Sequence, residues 1–167
     1  METARYKYLI KVLIFMILAV IMVTAVGYFH QRDIPKDLAP QLEGQSLDGI
    51  FIDLKQMYPQ GPVLIYFWAT WCPYCRIVSP AVAELSQEYQ VIGIAMQSGS
   101  KEVVAEYMRN HDIAFPSLND PQGILTAQWG VKVTPTLLIV GTDGKIAWVT
   151  TGATSKLGLQ LRLKMTK

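Results

Sequence analysis

The longest apolar stretch of the chain lies near its start. Eighteen uncharged residues, Val12 to Phe29, separate Lys11 from His30, and Leu9 and Ile10 extend the run towards the N-terminus. At about 1.5 Å per residue, a helix of this length crosses a ~30 Å hydrocarbon layer. Residues 30–46, HQRDIPKDLAPQLEGQS, carry two prolines and charges at no fixed period, which predicts a linker holding a downstream domain off the membrane. Leu47-Asp48-Gly49-Ile50 then predicts a hairpin turn between short strands, because Asp-Gly supplies the positive φ angles of a two-residue connection. Leu54 to Tyr58 predicts a helical turn.

Pro62 to Ala69, PVLIYFWA, is a continuous apolar, β-branched and aromatic run, the pattern of a central strand buried on both faces. The period then changes. Cys75, Val78, Val82, Leu85 and Tyr89 succeed one another at helical spacing, a single stripe facing a core, with Pro80 expected to kink the helix. VIGIAM, from Val91 to Met96, predicts a second buried strand with Met96 in the core. A helix from about Ser100 to Asn110 turns Val103, Val104, Tyr107 and Met108 inward, and a short helix spans Gln122 to Trp129. Thr136 to Val140 and Ile146 to Thr150 are strands joined through Asp143-Gly144. A last helix is expected to lay Leu157, Leu161 and the stem of Lys164 on the sheet. The element order β-hairpin, β, α, β, α, α, β, β, α predicts an α/β fold, a layered α/β/α sandwich with a mixed sheet preceded by one N-terminal transmembrane helix. The expected segments are 1–29, a cytoplasmic tail and anchor; 30–46, the linker; and 47–167, the folded domain.

Charge sets the orientation. Arg5, Lys7 and Lys11 precede or open the apolar run, whereas His30, Gln31, Arg32 and Asp33 beyond it are balanced. The positive-inside rule therefore leaves the N-terminus in the cytoplasm and exports the domain. A cleaved signal peptide, with Ala25-Val26-Gly27 as its small-residue site, is the alternative, but the run exceeds the usual ~7–15 apolar residues of such a signal. The formal charge of +2 is accounted for by the N-terminal basic residues, leaving twelve basic and twelve acidic residues from His30 onward. A neutral domain without a basic stripe lacks the electrostatic attraction that dominates nucleic-acid binding, so nucleic-acid partners are excluded.

The chain has two cysteines, Cys72 and Cys75, three positions apart. A bridge closing so short a loop adds little chain-entropy stabilisation, so the pair reads as chemistry rather than scaffolding. Trp71-Cys72-Pro73-Tyr74-Cys75 sits where a buried strand ends and a helix begins. Unpaired helix N–H groups there stabilise a thiolate on the first cysteine, lowering its pKa from the ~8.5 of free cysteine. Cys72 is thus the expected nucleophile, and Cys75, one turn in and on the apolar stripe, the more buried resolving thiol. Pro73 loses little by lacking an N–H at a helix start. A structural zinc site needs about four ligands, which two cysteines with His30 and His111 far apart do not supply. Two thiolates can hold copper(I), so a copper-binding module without redox turnover stays open beside the enzyme. No metal or organic cofactor is required for exchange itself. Trp68 is read as core, Trp71 as surface, and Arg76 and His111 as solvated.

The stretch VLIYFWATWCPYCRIVSPAVAEL, followed some sixty residues later by VTPTLLIV and an Asp-Gly hairpin, resembles the thioredoxin superfamily over roughly residues 45–165. The WATWC lead-in, the extra N-terminal hairpin, FPSLNDPQG before WGVKVTPT, and the anchor are similar to the TlpA-type thioredoxins, including the ResA and cytochrome c-maturation relatives. The resemblance implies a thioredoxin-like thiol:disulfide oxidoreductase acting on protein thiols and disulfides outside the bacterial inner membrane. It implies the reductive direction, with electrons from a membrane thiol donor, in cytochrome maturation or in defence against copper-induced mispairing. It makes Thr134-Pro135 the cis-proline loop whose backbone pairs with a substrate strand, with Trp71, Pro73 and Tyr74 contributing apolar contacts. CPYC is also found in glutaredoxins, but those are generally shorter and unanchored. In two places the chain departs from the pattern. Thioredoxins carry a buried aspartate where this chain has Tyr66, and ResA-type proteins carry a glutamate where it has Val78. A carboxylate there takes the proton of the resolving thiol, work that a phenol of pKa ~10 does poorly.

Overall fold

The computed structural model describes residues 2–166, with side chains from residue 10 onward. Met1 and Lys167, which bound the expected segments, and the side chains of Glu2, Arg5, Lys7 and Leu9 lie outside the described residues. The chain divides into two compact units, 1–32 and 33–167. The first is a helix, α1 (Glu2–Gln31). Its stretch Ile10–Gln31 has a mean hydropathy of 2.7 and is long and apolar enough to cross a membrane. The one hydroxyl within that run that belongs to a threonine, Thr24 Oγ1, donates to the Val20 carbonyl at 2.9 Å, so it carries no unmet polar group into an apolar surrounding.

The second unit is built on a five-stranded sheet in the order β5-β4-β3-β6-β7. Its members are β3 (Val63–Trp68), β4 (Gln90–Met96), β5 (Ser117–Asp120), β6 (Thr136–Val140) and β7 (Ile146–Thr151). β3, β4 and β5 run parallel, whereas β6 is antiparallel to β3 and β7 to β6. Ahead of it stand a two-stranded hairpin, β1 (Glu43–Gln45) and β2 (Phe51–Asp53), and a short helix α2 (Leu54–Met57). The crossovers supply α3 (Pro73–Leu85), α4 (Lys101–Asn110) and α5 (Ile124–Gln128), and α6 (Lys156–Met165) closes the chain.

All six residues of β3 are buried because the sheet is covered on both faces. Leu64, Tyr66 and Trp68 point into a core shared with Val78, Val82 and Leu85 of α3, Val104 of α4, and Leu159 and Leu163 of α6. Val63, Ile65 and Phe67 point the other way, towards Ile34, Leu42, Ile52, Leu54 and Trp129. The period of two along one strand thus sorts its side chains between two layers of helix and loop. This is the expected α/β/α sandwich with a mixed sheet.

Several local expectations need correction. Ser117–Asp120 is a fifth sheet strand where the sequence pattern predicts none, because its pairing partner Gly93–Met96 lies far away in sequence. The hairpin turn spans more than two residues: Ser46 N–H reaches the Ile50 carbonyl at 2.8 Å, with Gly49 at φ +86° inside the loop. Val103 is exposed whereas Val104 is buried, and Met96 is half-buried. In α6 the inward face is Leu159 and Leu163, not Leu157 and Leu161, which stand in solvent. Both leucine pairs have helical spacing, so periodicity could not choose between them. Tyr89 packs on the core from the turn beyond the end of α3.

The expected linker is strapped to the domain from Asp33 onward. Ile34 and Leu42 are buried. The Ile146 N–H donates to the Asp37 carbonyl at 3.0 Å and the Ala39 N–H to the Gly144 carbonyl at 2.9 Å, while Lys132 pairs with Asp33. Gly130, at φ +65°, lets this strap approach: a Cβ there would lie 2.0 Å from the Asp33 carbonyl oxygen. The two buried apolar residues are too far apart to mark a local element, which is why the segment reads as a linker.

Candidate active site

β3 delivers the chain to Ala69, and four residues later α3 begins. Cys72 is the N-cap of α3, in extended conformation at φ −86°, ψ 112°. Its N–H reaches back to the Ala69 carbonyl at 3.2 Å, closing the turn. Its sulfur accepts the backbone N–H of Cys75 at 3.2 Å. A helix N-terminus has N–H groups without intrahelical acceptors, and here one of them is spent on the cysteine sulfur. The same contact on a thiolate is charge-assisted and favours the ionised form. The two cysteines are joined as a disulfide, with Cα atoms 5.3 Å apart. Both are almost fully covered in this state, Cys72 at 2% and Cys75 at 1% exposure, so the expected difference in burial is slight.

The residues around the pair are apolar and exposed. Trp71, Tyr74 and Ile77 stand more than half in solvent, and Pro73 is exposed. Ile77 has no signal in the sequence, because an isolated isoleucine in an amphipathic helix marks nothing. Trp71 is held by its indole N–H, which donates to the Gln97 carbonyl at 3.1 Å. Beside it the Thr70 N–H donates to Ser98 Oγ at 3.1 Å, and that hydroxyl donates to the Met96 carbonyl at 2.9 Å. Sequence reasoning missed Gln97 and Ser98: Gln-Ser-Gly-Ser after a strand reads only as a turn, and its partners lie some twenty-eight residues away. Arg76 and His111 are exposed as expected.

The peptide bond Thr134-Pro135 is cis. Pro135 is buried and its carbonyl accepts the Gly152 N–H at 2.9 Å. β6 starts one residue later with Thr136 paired opposite Phe67. The loop therefore stands at the sheet end where β3 hands over to the cysteine turn. Cys72, Cys75, Trp71, Pro73 and Tyr74 share one strand-to-helix junction, and Thr134-Pro135 lies at the same end of the sheet.

Beneath the pair, Tyr66 is fully buried. Its hydroxyl lies 3.1 Å from Ser79 Oγ and 3.4 Å from the Cys75 carbonyl oxygen. Burial pushes the phenol far above the ordinary tyrosine range, outweighing the opposing hydrogen bond from Ser79. It is therefore a neutral hydroxyl at any working pH. Val78 is buried and apolar. Among the described residues no group of three or more His, Cys, Asp or Glu side chains is arranged to hold a metal ion.

This fold, with a dithiol at the head of the helix that follows the central strand, defines a thioredoxin-like thiol:disulfide oxidoreductase. The chain belongs to the AhpC/TSA family, whose model matches residues 35–149. It is 37% identical over 160 residues to the thioredoxin-like protein of Haemophilus influenzae, covering 95% of each chain. It is 31% identical over 169 residues to the thiol-disulfide oxidoreductase ResA of Bacillus thuringiensis subsp. konkukian, covering 96% of each. Among solved structures, the exposed lipoprotein thioredoxin Etrx1 of Streptococcus pneumoniae superposes with a TM-score of 0.67 at 26% identity, over 75% of this chain and 98% of that one.

Proposed function

We propose that this oxidoreductase is tethered by α1 in the bacterial inner membrane, N-terminus cytoplasmic and domain periplasmic or otherwise extracytoplasmic, and reduces disulfides in exported proteins. The Cys72 thiolate attacks one sulfur of a substrate disulfide and the other substrate sulfur leaves as a thiolate. Cys75, having lost its proton, attacks Cys72 Sγ, closes the Cys72–Cys75 disulfide and releases the second substrate thiol. Two electrons have passed from enzyme to substrate, and a membrane dithiol donor returns them by the same exchange in reverse. The substrate segment adds as a short strand along the backbone of Thr134 beside Pro135, with Trp71, Pro73 and Tyr74 as its apolar contacts.

The observation that carries the reading is the Cys75 N–H aimed at the Cys72 sulfur at 3.2 Å, a donor in place before any charge develops there. The reductive direction rests on the resemblance to TlpA-type proteins, and the tether on the length and apolarity of Ile10–Gln31. The test uses the full chain in detergent. Cys75→Ser should accumulate a Cys72-linked mixed disulfide with exported proteins, Cys72→Ser should abolish exchange, and the pair's reduction potential should lie below that of the compartment. A potential above it would make the enzyme an oxidant. Stoichiometric copper(I) retention by the reduced pair without turnover would replace the enzyme with a copper-binding module.

A further inference from the structure

Tyr66 sits in the middle of the central strand, yet its one side-chain polar atom is directed at the redox helix rather than at another strand. Its hydroxyl lies within reach of two groups of α3, Ser79 Oγ at 3.1 Å and the Cys75 carbonyl oxygen at 3.4 Å. One arrangement uses both contacts: Ser79 donates to the phenol oxygen and the phenol O–H donates to the Cys75 carbonyl. Tyr66 and Ser79 are buried, so neither hydroxyl can exchange its partner for water. The ring itself is fixed edge-on against Phe115, with centroids 5.8 Å apart. Ser79 stands four residues after Cys75, on the same helix face. The chain Ser79, Tyr66, Cys75 carbonyl thus pins the first turn of the helix to the strand beneath it.

We infer that Tyr66, braced by Ser79, is a positioning residue for the resolving step: its hydroxyl holds the Cys75 backbone so that the Cys75 sulfur faces the Cys72 sulfur in the mixed disulfide. This rests on Cys72 attacking and Cys75 resolving. Attack by Cys72 uses the Cys75 N–H, which belongs to the Tyr74–Cys75 peptide unit and not to the following one whose carbonyl Tyr66 holds, and the Cys72 backbone is set by the turn from Ala69. Resolution does need it. In that step the Cys75 thiol gives its proton to solvent, its sulfur bonds Cys72 Sγ, and the substrate sulfur leaves with the electron pair of the broken bond.

The two steps separate with 5,5′-dithiobis(2-nitrobenzoate) on the full chain in detergent. The first coloured thiolate released reports attack by Cys72 and is read alone in a Cys75→Ser background; the second, with Cys75 present, reports resolution. Tyr66→Phe keeps the ring and removes the hydroxyl. It should slow the second release about fivefold, the size expected of one lost hydrogen bond, and leave the first unchanged. Ser79→Ala should slow the second release in the same sense and by less. A purely structural role would slow both releases together, and that result, or an unchanged second release in both variants, overturns the inference. If instead Cys72→Ser, and not Cys75→Ser, accumulates the mixed adduct, the assignment of the two thiols is reversed and the inference falls with it.

Discussion

Cys75 donates its backbone N–H to the sulfur of Cys72 at 3.2 Å, so one cysteine of the pair supplies a hydrogen bond that favours an ionised sulfur on the other. The interaction belongs to the backbone, and no substitution of Cys75 other than proline removes it. The reduced protein should therefore be alkylated by iodoacetamide at Cys72 with a pH midpoint below the ~8.5 of free cysteine, and a Cys75→Ser variant should keep that lowered midpoint. Mass spectrometry of the labelled protein across a pH series checks both. A midpoint at the free-cysteine value would mean that the donor does not stabilise charge.

Trp71 is fixed by its bond to the Gln97 carbonyl while the residue stands 58% exposed. It has no core to fill, so Trp71→Ala should leave thermal stability within about 0.5 kcal/mol, as a surface change does. It should raise KM for a protein disulfide several-fold and leave the reaction with a small aromatic disulfide nearly unchanged. Steady-state kinetics with the two substrates separates these outcomes, and an equal loss on both would assign Trp71 to the cysteine turn itself.

Tyr66 titrates above the ordinary tyrosine value in the folded protein because burial disfavours its anion. The unfolded chain loses that proton near pH ~10, whereas the folded chain retains it. Stability from this group is therefore complete below pH ~10 and is lost as pH rises towards the folded value, at up to ~1.4 kcal/mol per pH unit. Urea unfolding at pH values on either side of ~10 should show a shallower alkaline loss in Tyr66→Phe than in the parent. Parallel curves would exclude the linkage.

Leu159 and Leu163 of α6 are buried among Leu85, Leu137 and Ile139, while Leu157 and Leu161 face solvent. Leu159→Ala should cost about 2–4 kcal/mol, and Leu157→Ala less than about 0.5 kcal/mol. Denaturant midpoints at constant m-value decide. The opposite ranking would place the other leucine pair inward.

Gly130 meets the Asp33 carbonyl where any side chain would collide, and it holds a left-handed backbone. Gly130→Ala should destabilise the domain by more than about 2 kcal/mol and free the strap at Ile34 to limited proteolysis. Unchanged protection of that segment would show that the strap is held without this approach.

Features written in short-range pattern were legible before any fold was known. Eighteen uncharged residues make a helix fit to span a membrane. A wholly apolar run makes a strand covered on both faces. Cys72 at the end of that strand and the start of a helix makes an N-cap sulfur, because the period changes from two to that of a helix within a few residues. Leu159, Leu163, Ile34, Ser98 and Ser117–Asp120 were different. Each depends on a partner tens of residues away, and local periodicity is blind to such partners. In α6, two leucine pairs with the same spacing compete for one inward face, and only the sheet beneath decides between them. The strap at residues 33–42 has no period at all, and its place depends on the close approach of Asp33 to Gly130, a residue far along the chain. Tyr66 marks the boundary between the two. Its burial was legible in PVLIYFWA, but the choice of Ser79 and the Cys75 carbonyl as its partners belongs to the packing of α3 across β3. A backbone pattern fixes which way a side chain points, while only the tertiary fold fixes what it meets.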